Sequence, residues 1–182
     1  MSLHLIVGPM FAGKTSAIQA IVRRYRSIHK TTLVLTAAID TRYQANANAI
    51  VSHDLADLPA MAIHIDGLST VLRTNEFTAA FAIVVDEAQF FTGLYEFVMT
   101  CLDHGKHVVV VGLDSDADGN PFSHVLDLVA LADSVEKKTA LCGHCCDGTP
   151  AIFTRRIGLK GDRIAVGGAE MYEPTCRAHH RV

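Results

Sequence analysis

Long apolar runs are missing from this 182-residue chain, and none approaches the length that a membrane-spanning helix needs. A surplus of positive charge is missing too: 16 lysines and arginines face 19 aspartates and glutamates, a formal net charge of −3. That balance gives no support for a general binder of nucleic acid or of anionic membrane surfaces. Charge of either sign is scarce, at 19% against 49% hydrophobic residues, so the composition of a disordered segment is excluded. No internal repeat and no low-complexity tract interrupts the chain. The residues after Met1 pass directly into the apolar Leu3–Val7, leaving no room for a cleavable leader, and a cytoplasmic address is the expectation. Cysteine is sparse and odd in number: Cys101, Cys142, Cys145, Cys146 and Cys176. In a reducing compartment the paired spacing among them suggests metal before disulfide.

What is present is a chain long enough for one sizeable core and a small appendage. Hydrophobic runs alternate with helical patterns, which predicts an α/β fold with a mostly parallel sheet flanked by helices. The expected strands are Leu3–Val7, Thr32–Thr36, Met61–Ile65, Phe81–Asp86 and His107–Leu113, which lack alternation and read as buried on both faces. Helices are expected over Lys14–Lys30, Leu68–Thr74, Tyr95–Asp103 and Ser123–Ala130. Between Ala37 and Pro59 no regular pattern holds, and Asp114–Pro121 is a second irregular, polar stretch. Both follow strands, and ligands of open α/β sheets sit at strand carboxyl ends. From Leu141 the chain turns to short β-prone pieces (Ala151–Thr154, Arg163–Val166) among glycines and cysteines. The division expected is 1–140 as a nucleotide-binding α/β domain and 141–182 as a small appended module.

Gly8-Pro9-Met10-Phe11-Ala12-Gly13-Lys14-Thr15 fits G-x-x-x-x-G-K-[ST] and stands between a predicted strand and a predicted helix. Glycines permit a tight nest of backbone N–H groups, and the helix N-terminus adds its dipole, so the loop suits a polyphosphate. Lys14 would reach the β/γ-phosphates, and the Thr15 hydroxyl would ligate magnesium. Ile83-Val84-Val85-Asp86-Glu87 is an apolar strand ending in two carboxylates. Asp86 would hold the magnesium opposite Thr15. Glu87 would either orient water, as in an ATPase, or accept the proton of an attacking hydroxyl, as in a small-molecule kinase.

Cys142-Gly143-His144-Cys145 is a C-x-x-C knuckle, and Cys176-Arg177-Ala178-His179 is a C-x-x-H some thirty residues on (142 to 176). Two such pairs joined by a short β-rich connection suit tetrahedral zinc of the closed, structural kind. Cys146, His144 and His180 are adjacent alternatives for the fourth ligand. No thioredoxin-like pattern surrounds the C-x-x-C.

Taken together these motifs resemble the type II thymidine kinases, over nearly the whole chain. The Pro-Met-Phe within Gly8–Thr15 is typical of that family. Asp40-Thr41-Arg42-Tyr43 is similar to its D-x-R segment, and Asp86-Glu87-Ala88-Gln89-Phe90-Phe91 to its D-E-x-Q-F signature. Gly112-Leu113-Asp114 with Pro121-Phe122 resembles its G-L-D…P-F stretch. Val166-Gly167-Gly168 with Tyr172 and Cys176-Arg177 resembles its G-G-x-x-x-Y…C-R ending. The resemblance implies a P-loop, RecA-like kinase that moves the γ-phosphoryl of ATP to the 5′-hydroxyl of thymidine or deoxyuridine, with Glu87 as general base. It implies Asp40, Arg42, Asp86 and Gln89 on the ATP–magnesium side. Met10, Phe90, Phe122 and Tyr172 would stand on the nucleoside side, with the pyrimidine read by the backbone of Arg163, Ile164, Ala165, Val166 and Gly167. It implies a C-terminal lasso anchored by zinc on Cys142, Cys145, Cys176 and His179, a homotetramer, and inhibition by thymidine triphosphate.

One departure stands out. Ala117 occupies a position where the family usually has an aromatic packed on the nucleoside, a contact worth about 1 kcal/mol or more. Two other classes stay beside the kinase: a P-loop ATPase whose Glu87 activates water, and, because of the Ala117 loop, a nucleotide-binding regulator without activity. The retention of Lys14, Thr15, Asp86 and Glu87 together argues against the second.

Overall fold

The computed structural model describes residues 1–38, 49–51, 57–158 and 167–180. In chain order the elements are β1 (Ser2–Val7), α1 (Lys14–Ser27), β2 (Thr32–Ala37), β3 (Ala49–Val51), β4 (Asp57–Pro59), β5 (Met61–Ile63), α2 (Leu68–Val71), α3 (Asn75–Ala79) and β6 (Ala82–Val85). Then follow α4 (Leu94–Asp103), β7 (His107–Gly112), α5 (Ser123–Leu126), β8 (Ser134–Lys137), β9 (Ala140–Leu141), β10 (Pro150–Ala151), β11 (Phe153–Arg156), β12 (Tyr172–Thr175) and α6 (Arg177–His180).

Six strands form one parallel sheet in the order β5-β2-β6-β7-β1-β8. Its inner strands are rich in valine, isoleucine and leucine because both faces are covered. Alternate residues go to opposite sides, as a period of two requires. Leu3, Leu5, Ile83, Val85, Val108 and Val110 join a core with Leu94, Phe97, Val98 and Cys101 of α4. Ile6, Val34, Val84, Val109 and Val111 join a second core with Ile18 and Val22 of α1. The sheet is thus a three-layer sandwich, and its carboxyl edge presents the loops after β1, β6 and β7 side by side.

Several elements differ from expectation. β8 was not foreseen: Ser134-Val135-Glu136-Lys137 is exposed throughout and has no buried pattern to read. It exists because β1 has a free edge, where His4–Val7 pair with Ser134–Lys137. Within the Ala37–Pro59 stretch, β3 and β4 form an antiparallel hairpin. The expected helix Leu68–Thr74 stops at Val71, and Thr74 instead caps α3, its hydroxyl accepting the Phe77 N–H at 3.1 Å. α1 ends at Ser27, before His29 turns to φ 57°. Ser123–Ala130 splits into α5 and a 3₁₀ turn, Asp127–Leu131. Among the described residues no helix is long and apolar enough to cross a membrane.

After β8 the chain builds two small antiparallel ribbons, β9–β10 and β11–β12. The piece expected at Ala151–Thr154 is divided between β10 and β11. Arg163–Val166 lies outside the described residues.

Candidate active site and metal centre

The loop after β1 has the backbone its glycines predict. Gly8 is at φ 149°, Phe11 at 64° and Gly13 at 74°. Gly8 is required for a second reason: a Cβ there would stand 2.4 Å from the Lys138 carbonyl oxygen. That carbonyl belongs to the residue just after β8, whose N–H is donated to the Val7 carbonyl at 2.8 Å. The Lys14 ammonium lies over the loop, donating to the carbonyls of Gly8 (3.1 Å) and Pro9 (2.7 Å). α1 begins on Gly13 with no side-chain cap and no acidic residue in its first turn. The positive dipole end of the helix therefore meets no carboxylate of its own first turn and suits an anion. Gly8→Ala is expected to force the loop off the Lys138 carbonyl, costing about 1–3 kcal/mol as overpacking does. A melting curve and an ATP titration check it; unchanged values in both would contradict the contact.

β6 ends in Asp86, buried, whose N–H is donated to the Leu35 carbonyl at 2.9 Å. Asp86 Oδ1 accepts the Glu87 N–H at 2.9 Å. Glu87 itself sits in the left-handed region, φ 52° and ψ 42°. A non-glycine residue there costs about 1 kcal/mol or more, and such strain gathers at functional sites. The turn Ala88–Phe90 follows and buries Gln89, whose amide donates to Glu87 Oε2 at 2.6 Å and accepts the Leu113 N–H at 3.0 Å. The turn after β6 is in this way tied to the end of β7.

The Asp114–Pro121 loop is closed by its own acids. Asp116 is buried and accepts from the N–H groups of Asp118 (3.1 Å) and Asn120 (2.8 Å) and from the Asn120 amide (3.2 Å). Ser115 and Pro121 bridge beneath it. Asp114, also buried, reaches across the end of β1 to Lys137 on β8 at 2.5 Å. The excess of acid in this loop is therefore mostly structural, and Asp118 alone of the three points to solvent.

The cysteine motifs converge. One ligand atom each from Cys142, Cys145, Cys176 and His179 lies within 4.8 Å of the others. The separations include 3.8 Å for Cys145–Cys176 and 3.4 Å and 3.3 Å from His179 Nδ1 to Cys145 and Cys176. Ligands about 2.3 Å from a tetrahedral zinc stand about 3.8 Å apart, so this Cys₃His set fits the ion. Burial pushes the Cys142 thiol up, but backbone N–H groups of Cys176, Cys145 and His144, with His179, outweigh it and bring it down to about 5. The backbone at His179 lowers Cys176, while Cys176 and Cys142 raise His179. Cys145 is pushed up to about 11, first by burial and then by the neighbouring sulfurs of Cys142 and Cys176. The alternative ligands are turned elsewhere: Cys146 is exposed and donates to the Gly143 carbonyl, and His180 stacks on Phe153 at 4.2 Å. Cys101 is core packing in α4, raised to about 12 by burial.

An outer layer that sequence reasoning missed surrounds the knuckle. Arg155 donates to Glu173 (2.8 Å), to the His179 carbonyl (2.8 Å) and toward His144 Nε2 (2.7 Å). His144 also faces Glu173 at 3.0 Å. Only the β11–β12 register, which sets Arg155 opposite Glu173, brings these residues together. The module also leans on the phosphate loop. Ala12 packs against the cluster of Ala140, Cys142, Ala151 and Cys176, and the Met10 N–H is donated to buried Thr154 at 2.9 Å.

Of the remaining expected site residues, Phe90 packs on the larger core and Phe122 is buried within it. Ala117 is half-buried in its loop, and Gly167 is buried beside the start of β12. Tyr172 is buried and accepts from Arg156 at 3.1 Å. Asp40, Arg42, Arg163, Ile164, Ala165 and Val166 lie outside the described residues.

A loop that fits G-x-x-x-x-G-K-[ST] and two carboxylates on the carboxyl edge of one parallel sheet are the marks of a nucleotide-binding α/β protein, here with a Cys₃His cluster that could hold a metal packed against the loop. Comparison with known proteins narrows the class. The chain belongs to the thymidine kinase family, whose model matches residues 1–180. It is 39% identical over 181 residues to a thymidine kinase of Oryza sativa subsp. japonica, covering 98% of this chain and 65% of that one. It is 34% identical over 177 residues to the cytosolic thymidine kinase of Homo sapiens (96% and 71% covered). To the thymidine kinase of Choristoneura biennis entomopoxvirus it is 31% identical over 182 residues (97% and 95% covered). The chain thus spans just under two thirds of the rice protein and nearly all of the viral one.

Proposed function

We propose that the chain transfers the γ-phosphoryl group of ATP to the 5′-hydroxyl of thymidine or deoxyuridine. The observation that carries this reading is the meeting of Gly8–Thr15 with Asp86 and Glu87 at the ends of strands in one sheet. Phosphoryl transfer asks for positioning and charge stabilisation more than for covalent chemistry, and this edge supplies both.

In this reading the loop amides, the α1 N-terminus and Lys14 take the β- and γ-phosphates, with Asp40 and Arg42 nearby. Thr15 and Asp86 would hold magnesium, which supplies charge neutralisation to the phosphates. Glu87 accepts the proton of the attacking hydroxyl. Met10, within the loop, faces the nucleoside, with Phe90, Phe122 and Tyr172 around it. The backbone of Arg163–Gly167 reads the pyrimidine. The segment 141–182 acts as a separate module over the nucleoside, and zinc on Cys142, Cys145, Cys176 and His179 pins its two ends together. Ala117 leaves the nucleoside with one aromatic contact fewer. The family resemblance extends the proposal to a cytoplasmic homotetramer inhibited by thymidine triphosphate.

The test is ADP release with ATP and magnesium, with and without thymidine. Release that depends on thymidine, with thymidine monophosphate formed in equal amount, is the expected outcome. Release indifferent to nucleosides would make the protein an ATPase, and no release would make it a regulator.

A further inference from the structure

We infer that Arg155 clamps the two halves of the Cys₃His set together and so governs how tightly they hold zinc; this rests on Cys142, Cys145, Cys176 and His179 being a zinc site. The set is drawn from two short segments, and 31 residues separate Cys145 from Cys176. Arg155, on β11 between them, reaches both. Its Nη1 donates to the carbonyl oxygen of His179 at 2.8 Å, and its Nη2 lies 2.7 Å from Nε2 of His144, which stands between Cys142 and Cys145. Its Nε and Nη2 also pair with Glu173 Oε1, at 2.8 and 2.7 Å. Glu173 is the cross-strand partner on β12, and its other oxygen is 3.0 Å from His144. The guanidinium thus meets the first pair of ligands at His144, the second at His179, and the strand leading into the second at Glu173.

The chemistry of the side chain suits the task. Arginine presents five N–H donors in a rigid planar fork, so one group can fix several acceptors at set angles, which the single ammonium of lysine cannot. The backbone supplies a tie between the same parts of the chain, from the Gly143 N–H to the Pro174 carbonyl at 3.2 Å, and Arg155 adds its side-chain bonds to it. Ligands held in place beforehand need not be ordered by the ion, and removal of such outer partners typically costs about 10–100-fold in metal affinity. Position on the strand sets Arg155 apart from its neighbours, because successive residues point to opposite sides. Thr154 accepts the Met10 N–H at 2.9 Å, and Arg156 donates to the Tyr172 hydroxyl at 3.1 Å. Arg155, between them, turns to the knuckle.

The experiment is a zinc titration of the full chain against a competing chromophoric chelator, with hydrogen exchange followed on each zinc-loaded protein. Arg155→Met is expected to weaken zinc binding about 10–100-fold. Arg155→Lys, which keeps the charge but not the fork, should fall between that variant and the wild type. Arg156→Met removes the same charge from the next position of β11, and its zinc affinity is expected to match the wild type. Amides of β1, β6 and β7 should stay protected in every variant. Wild-type affinity in Arg155→Met would overturn the inference and spare the metal site. Equal weakening in Arg156→Met would make the effect one of net charge, and lost protection in the parallel sheet would make it one of folding; either result overturns the clamp. A wild-type chain that takes up no zinc would remove the metal site itself, and Arg155's role with it.

Discussion

Glu87→Gln is expected to lower kcat by about two to four orders of magnitude, the range that general-base catalysis supplies. Glutamine keeps the length and shape of the side chain but has no basic oxygen for the proton of the attacking hydroxyl. The fold should tolerate it, because the oxygen of a glutamine amide can still face the Gln89 NH₂ group that now meets Glu87 Oε2 at 2.6 Å. Melting temperature and ATP affinity are accordingly expected to change little, which separates lost chemistry from lost structure. Glu87→Asp makes the companion measurement. It retains a base but draws it back by one carbon, and a displacement of about 1 Å should still cost roughly a hundred-fold. Steady-state kinetics on the three proteins decide the matter: comparable turnover in the glutamine variant would sink the assignment.

Removal of metal is expected to have the second largest effect, and a local one. The part of the chain built from β9 to α6 has little else to hold it. Two-stranded ribbons are marginal in water by themselves. Among the described residues the module's own buried apolar cluster is Ala140, Cys142, Ala151 and Cys176, and two of those four belong to the candidate metal set. A structural zinc contributes about 10–16 kcal/mol in small peptides at neutral pH, far more than such a cluster can. Chelation, or Cys145→Ser, should therefore release about one zinc per chain and loosen residues 140–180 while the parallel sheet persists. Hydrogen exchange reads this directly. Amides of β11 and β12 should exchange quickly in the metal-free protein, and those of β1, β6 and β7 should stay protected. Protection of β11 and β12 without metal, or a well-folded protein purified with no zinc, would remove Cys142, Cys145, Cys176 and His179 from the metal site.

The parts of the fold that could be read in advance are those whose burial writes a pattern. Ala82–Val85 and His107–Gly112 are buried on both faces, so their composition announces them. β8 is exposed on every residue and is specified by the edge it joins, not by its own side chains. The same division holds in the site. The phosphate loop and the cysteine pairs are local, and their spacing carries their chemistry. Arg155, Glu173 and His144 carry no local signal, because the contact depends on how β11 and β12 register. Gln89 belongs to both kinds: its presence in the motif was plain, but its direction waited on Leu113, 24 residues away. Its amide meets Leu113 and Glu87, and its place on the ATP–magnesium side is what the resemblance implies.

The contact between the knuckle and the phosphate loop has a thermodynamic consequence. Ala12 rests on the cysteine cluster and the Met10 N–H is held by Thr154, so the loop borrows part of its shape from the module beyond it. Coupling of this sort is reciprocal by necessity: whatever an ion bound at the knuckle adds to the grip on a nucleotide, the nucleotide returns to the ion. Metal content and nucleotide occupancy are then expected to rise and fall together.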